Sequence, residues 1–427
     1  MKDNKAAITL RSTCRVCGSG DLMPILSLGE QYSVGFLDSA NETTAKAPLD
    51  LVLCNIKGGG CGLLQLHHTL DHDILYHRYW YKSGISKTMV AALADVVAAA
   101  ERMASLKPND LVVDIGSNDG TLLRQYKAHG IAKIGFEPSN LWELGVGPDT
   151  TIIHDYFNHQ AFQKHFGDRK ARIITSIAMF YDLEDPNQFV ADINRCFDDN
   201  GLWIIQMNYL GLMLDNHTFD NISHEHLEYY SLISLENLLK RHNLVIVDVD
   251  LNDVNGGSYR AYVKKVLSKP PLSLDGKERV DRLRNKEIRQ GYDGKTVYDN
   301  FSREIRELKD QLVNFLLQEV KRGKTTYIYG ASTRGLVVIQ YAGLDHRLIK
   351  AAVDMNPDKW GKYIVGAGIQ IIPFKDYRQS RPDYLLVLPY HFKNEIIHQE
   401  REFLDGGGKM IFALPVFEVV DKSFFTR

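Results

Sequence analysis

The side chains of this 427-residue sequence with the most evident chemistry fall into three groups. The first is sulfur. Cys14 and Cys17 form a C-x2-C pair, and Cys54 and Cys61 follow with six residues between them. Such clustering points to metal ligation rather than disulfides. Four thiolates complete a tetrahedral zinc site and leave no open coordination position, so the expected zinc is structural. Lys57-Gly58-Gly59-Gly60, inside the looser second pair, reads as an extra turn.

The second group is the run Asp114-Ile115-Gly116-Ser117-Asn118-Asp119-Gly120-Thr121, with Glu137 further along. A strand runs into a turn whose glycines let backbone approach a ligand, and a helix is expected from Thr121. Glu137 closes the next strand, where a carboxylate suits both hydroxyls of a ribose. A dinucleotide pyrophosphate is the rival ligand, but Asp119 would repel it. S-adenosylmethionine carries a sulfonium and an ammonium besides ribose and adenine, and fits better. Asp114, Gly116, Asn118, Asp119, Gly120 and Glu137 are its expected contacts, with Asp155 and Phe157 beside the adenine.

The third group is His224-Glu225-His226, followed by Tyr229 and Tyr230. Two histidines around a carboxylate, with no evident third metal ligand, predict acid–base chemistry. An imidazole of pKa about 6.5 is suited to taking up a proton at neutral pH.

The elements that must position these groups follow from hydrophobic periodicity. A helix is expected over about 87–104. Apolar runs at 111–115, 133–137, 172–175 and 202–206 predict buried parallel strands with room for crossover helices, a doubly wound α/β domain. Helical spacing over about 275–322 leads into a second α/β series with strands at 326–329, 349–354, 384–388 and 409–413. The expected domains are a zinc-binding minidomain (1–75), a Rossmann-like S-adenosylmethionine domain of the class I methyltransferase type (76–268) and a second Rossmann-like α/β domain (269–427).

Several motifs together, in the same order and spanning nearly the whole chain, resemble the bacterial deoxysugar C-methyltransferases. They are the C-x2-C-G, the D-I-G-S-N-D-G-T-L-L loop, His224-Glu225-His226, Gly256-Gly257-Ser258-Tyr259-Arg260 and Tyr329-Gly330-Ala331-Ser332-Thr333-Arg334-Gly335. The resemblance implies methylation at C-3 of a TDP- or GDP-linked 4-keto-6-deoxysugar through an enolate. It implies His226 as the base, His224 and Glu225 as orienting or enolate-stabilising partners, and Tyr79 at the active-site edge. Tyr81, Ser83, Asn255, Ser258, Arg260, Ser332 and Arg334 are then the expected substrate contacts, the last two on a wall facing the nucleotide. Tyr390-His391-Phe392-Lys393 would close the same cleft. Two positions depart from the family pattern. Ser223 stands where the family has tyrosine, and Met179-Phe180-Tyr181-Asp182 replaces a family histidine. Tyr181, Tyr209 or Tyr229 is expected to supply the missing phenol.

Composition excludes other classes. The formal charge of −2 lacks the basic surplus of a nucleic-acid-binding protein. No apolar run approaches the roughly 20 residues that span a bilayer, and no secretory signal is evident. A cytoplasmic protein, monomeric or weakly homo-oligomeric, is expected. O- or N-methylation of a related sugar, or non-catalytic binding of a sugar nucleotide, are the alternative readings.

Overall fold

The computed structural model describes residues 8–33, 35–40, 42, 44–70, 82–268 and 273–426. Tyr79 and Tyr81 lie outside the described residues.

The central sheet is seven-stranded, in the order Leu244–Asn252, Ser258–Lys265, Phe197–Asn208, Ala171–Ile177, Leu111–Ile115, Ala132–Phe136, Thr150–Ile153. All pairings from Thr150–Ile153 across to Phe197–Asn208 are parallel, and Ser258–Lys265 enters antiparallel. Leu111–Ile115 is buried along its whole length, as a strand covered on both faces must be. From it the chain winds outward to Thr150–Ile153, then returns and adds Ala171–Ile177 on the other side. That reversal opens a crevice at the strands' carboxyl ends, where doubly wound folds bind ligands.

The helix Lys87–Met103 covers this sheet, its amino end capped by Ser86 Oγ accepting from Met89 N–H. The helix expected from Thr121 is replaced by a 3-10 turn, Leu123–Gln125. The preceding glycine loop folds tightly instead: Gly120 has φ +73° and a Cβ there would stand 2.8 Å from the Gly145 backbone.

The amino-terminal sheet runs Glu228–Tyr229, Leu64–Leu66, Lys46–Cys54, Leu22–Tyr32. The third sheet has eight strands centred on Thr326–Tyr329, and its outermost member is Phe36–Leu37. The sheets therefore exchange strands. The segment after His226 pairs with the cysteine-bearing sheet, and Phe36–Leu37 pairs with Tyr363–Ile364 of the third. The Gln340 side chain reinforces the second exchange, accepting from Tyr32 N–H at 2.7 Å and donating to its carbonyl at 3.4 Å. These exchanges have no counterpart in the sequence-based expectation, because pairing between distant edges leaves no periodicity.

The cysteines converge. Cys14 and Cys61 sulfurs lie 3.5 Å apart, those of Cys17 and Cys54 3.4 Å, and all four fall within 4.8 Å of one another. Zinc–sulfur bonds of about 2.3 Å imply tetrahedral edges of about 3.8 Å, so the donor set fits zinc. Gly60 is required here: a Cβ would meet Cys54 Sγ at 2.5 Å. The expected extra turn is a 3-10 turn, Ile56–Gly58, closed by Gly59 in the left-handed region.

Cys14→Ser is expected to lower zinc content from one ion per chain toward zero and to expose residues 8–70 to protease. Plasma emission spectrometry and limited proteolysis check both.

Candidate active site

A cavity of about 300 Å³ opens at the winding reversal. Its wall is built from the glycine loop (Asp114 to Asn118), the end of the second strand (Phe136 to Ser139), Tyr156 and Phe157, the turn Met179–Glu184, and Asn255 with Ser258. Its charge is one-sided. Asp114, Glu137, Asp182 and Glu184 line it, and no lysine, arginine or histidine does among the described residues. Glu184 is neutralised from behind by Arg11 at 2.8 Å and Arg15 at 3.3 Å. Arg15 sits between the zinc-knuckle cysteines, so the metal cluster buttresses this wall. With an acidic lining and no basic side chain among the described residues, the cavity offers a pyrophosphate no counter-charge and leaves the Glu137 carboxylate to meet hydroxyls or a cation.

Each expected cofactor residue has a definite place. Glu137 accepts from Asn118 N–H at 2.7 Å and from Ser139 N–H at 2.9 Å, which aims its carboxylate along the cavity. Asp114 accepts from Thr175 Oγ1 at 2.6 Å, and burial pushes its pKa up to about 7. Gly116, Asn118 and Phe157 also line the cavity. Asp119, Gly120 and Asp155 are not among its lining residues. Asp119 instead accepts from Gly84 N–H at 2.8 Å and from Thr121, tying the segment before the first helix to the glycine loop. Asp155 is exposed and accepts from Tyr156 N–H.

The expected substrate residues divide as well. Ser83, Asn255 and Ser258 line the cavity. Arg260 stands behind it, buried, donating to Gln206 at 2.8 Å and paired with Asp95 at 2.9 Å. Ser332 caps the helix Thr333–Tyr341 by accepting from Gly335 N–H. Arg334 is half-buried in a contact with the central domain. It pairs with Asp220 at 2.7 Å, donates to the Asn255 carbonyl at 2.5 Å and reaches the Tyr390 hydroxyl at 2.8 Å.

His226 adjoins the cavity rather than lining it. It shares a small recess with Tyr181, Asn208, Tyr209, Asn221 and Glu228. Its Nδ1 lies 2.6 Å from the Asn221 carbonyl. A carbonyl only accepts, so Nδ1 carries the proton and Nε2 keeps its lone pair. The Tyr181 ring meets the imidazole edge-on, centroids 4.4 Å apart. Burial lowers the His226 pKa to about 4, keeping it neutral. Glu225, also desolvated, is pushed up to about 7.

His224 is placed differently from the expectation. Only 5% exposed, it points into the amino-terminal sheet, its Nε2 3.0 Å from the Ala47 carbonyl. The turn at His224-Glu225, closed by His226 N–H donating to the Ser223 carbonyl at 3.1 Å, sends the two histidines to opposite sides. Tyr209 is engaged elsewhere too, donating to the buried Glu287 at 2.8 Å. Asp182 is a site residue that the sequence reading passed over. It lines the cavity, its Oδ1 has no hydrogen-bond partner among the described residues, and burial beside Glu225 and Glu228 holds its pKa well above the carboxylate range. The hints in the sequence were its place past a strand's carboxyl end and in the segment that replaces a family histidine.

Known proteins match this arrangement along the chain. Residues 14–76 match a zinc binding domain family, 87–249 a methyltransferase domain family and 253–415 the C-methyltransferase C-terminal domain family. The C-methyltransferase NovU of Streptomyces niveus is 30% identical over 418 residues, covering 95% of this chain and 96% of its own. The chain belongs to the deoxysugar C-methyltransferase family. It is an S-adenosylmethionine-dependent C-methyltransferase with a structural zinc, for which the clustered sulfurs of Cys14, Cys17, Cys54 and Cys61 are the fitting donor set. Among solved structures, the plantazolicin methyltransferase BpumL with S-adenosylhomocysteine is 10% identical over 43% of this chain and 87% of its own, TM-score 0.34. The mitomycin 7-O-methyltransferase MmcR is 14% identical over 42% of this chain and 54% of its own, TM-score 0.33. No helix among the described residues is long and apolar enough to cross a membrane.

Glu137→Ala is expected to weaken S-adenosylhomocysteine binding roughly 10- to 100-fold, the loss of one or two hydrogen bonds to a charged acceptor. Titration calorimetry reads this directly, and Glu137→Gln should fall between the two.

His224 gives a pH prediction. Burial lowers its pKa to about 4, against about 6.5 in the unfolded chain. The unfolded state binds that proton more readily, so His224 makes stability fall as pH drops from about 6.5 to about 4. The buried acids Asp114, Glu225 and Glu228, whose pKa values are raised, tilt the other way but remain in both proteins. Denaturant midpoints from pH 7 to 4 should decline less steeply for His224→Gln than for wild type.

Proposed function

We propose that this enzyme methylates C-3 of a TDP- or GDP-linked 4-keto-6-deoxyhexose, with Nε2 of His226 as the base. The observation that carries the reading is the Nδ1–H bond to the Asn221 carbonyl, which fixes the tautomer that a base requires.

A C-4 ketone acidifies the proton on C-3, and His226 is neutral and ready to accept it. Its lowered pKa reflects the cost of a buried charge, and an enolate formed beside it offsets that cost. The enolate oxygen then needs a hydrogen-bond donor. Asp182 and Glu225, both held toward the protonated form by burial, are the carboxyls available for that role. Tyr181 packs on the imidazole and restrains its ring. Bound S-adenosylmethionine supplies the electrophilic methyl group, which the deprotonated carbon takes up. Glu137, Asn118 and Phe157 hold the cofactor, and Ser83, Asn255 and Ser258 face the sugar side. Tyr79 and Tyr81 belong to the same reading through the family resemblance. The nucleotide lies toward the third domain, near Ser332.

Incubation with S-adenosylmethionine and each keto-sugar nucleotide in deuterated water tests the assignment. Wild type should add one methyl group, located on C-3 by NMR, and, with S-adenosylhomocysteine in place of the methyl donor, should exchange the C-3 hydrogen of the unmethylated substrate for deuterium. His226→Gln should lose both by roughly 10²- to 10⁴-fold while binding S-adenosylhomocysteine normally. Methylation on oxygen or nitrogen, or full activity in the variant, would refute the reading.

A further inference from the structure

We infer that Arg334 of the third domain is a positioning residue for His226: it locks the Asp220–Asn221 turn whose backbone carbonyl fixes the imidazole tautomer. The inference rests on the reading of His226 as the base.

The geometry forms a continuous path. Arg334 Nε donates to Asp220 Oδ2 at 2.9 Å, and one Nη lies 2.7 Å from the same oxygen. The Tyr390 hydroxyl accepts from that Nη at 2.8 Å and donates to Asp220 Oδ1 at 3.2 Å, so both carboxylate oxygens are held from the third domain. Asp220 belongs to the 3-10 turn Phe219–Asn221 and is 2% exposed. The next residue, Asn221, presents its carbonyl to His226 Nδ1 at 2.6 Å. The Asn221 side chain is fixed as well, accepting from Asn208 at 2.5 Å and donating to Thr218 Oγ1 at 3.1 Å. Asn221 thus cannot turn without disturbing a bond on each side.

A guanidinium has five N–H donors, and these contacts together with the Asn255 carbonyl engage most of them. Asn255 lines the cofactor cavity, so one side chain braces both the base and the cavity wall. Lysine, a point charge without the planar fork, could not hold the same set. The family resemblance implies Arg334 as a substrate contact. Its pairing with Asp220 assigns it instead to docking the third domain onto the loop that carries His226.

Nitrogen NMR of ¹⁵N-histidine-labelled protein tests this without a substrate, the His226 signal being identified by its loss in His226→Gln. Wild type should show neutral His226 with the proton on Nδ1. Arg334→Met and Asp220→Asn should each move it toward a mixture of tautomers, with Arg334→Lys recovering part of the wild-type signature. Each single change strands one charge of the pair, so the double variant Arg334→Met/Asp220→Asn, which strands neither, guards against a fold failure and should show the same tautomer mixture. With the keto-sugar nucleotide, kcat should fall roughly 10- to 100-fold in both variants, with KM within about threefold, as expected for a misplaced catalytic group. An unchanged tautomer with a raised KM would overturn the proposal and return Arg334 to the substrate. If no keto-sugar is methylated by any of the proteins, the function reading fails, and the tautomer alone still decides this inference.

Discussion

Asp220 is a carboxylate with almost no access to water, and a buried charge of that kind persists only when it is paired. Its partner, Arg334, comes from another domain, more than a hundred residues along the chain. Much of the active site depends on this pairing. It fixes the turn that orients His226, braces Asn255 on the cavity wall and seats the third sheet against the central one. Removing one partner of such a pair typically costs about 3–5 kcal/mol, a large share of a domain's net stability. A strong, geometrically demanding contact therefore sits where two domains must agree on the position of His226, the proposed base.

The zinc cluster serves the site from the other side. Four thiolates hold a sheet too small to support itself on apolar burial, and Arg15, between two of the ligands, pins Glu184 on the cavity wall. The same sheet receives the strand that follows His226 and accepts the His224 imidazole on the Ala47 carbonyl. The loop 219–230 is consequently gripped by three domains at once. That is the pre-organisation the proposed proton abstraction needs, because a base held loosely loses the advantage of proximity.

The cavity itself works through sign and solvent exclusion. Its wall carries carboxylates and no basic side chain among the described residues, which favours a cationic cofactor over the phosphates that similar glycine turns often hold. Burial simultaneously raises the pKa values of Asp182 and Glu225 and lowers that of His226. Acids held toward the protonated form and a neutral imidazole are what the proposed reaction requires, one to donate to a developing oxyanion and the other to accept a proton.

The sequence by itself determined what depends on local pattern and residue type. The cysteine spacing named the metal, the glycine turn with Glu137 named the cofactor, and the apolar runs marked the strands of both α/β sheets. His224-Glu225-His226 was legible as a cluster of proton-handling residue types, but not that its two histidines point to opposite sides. Only the tertiary structure decided that, since neighbouring side chains of a loop part according to what packs on each side. It also decided that Asp119 holds a loop, that Arg260 stands behind Gln206, that Arg334 faces Asp220, and that the three sheets trade strands. Each of these is a contact between residues far apart in the chain, set by burial and charge satisfaction, which leave no periodic mark in a sequence.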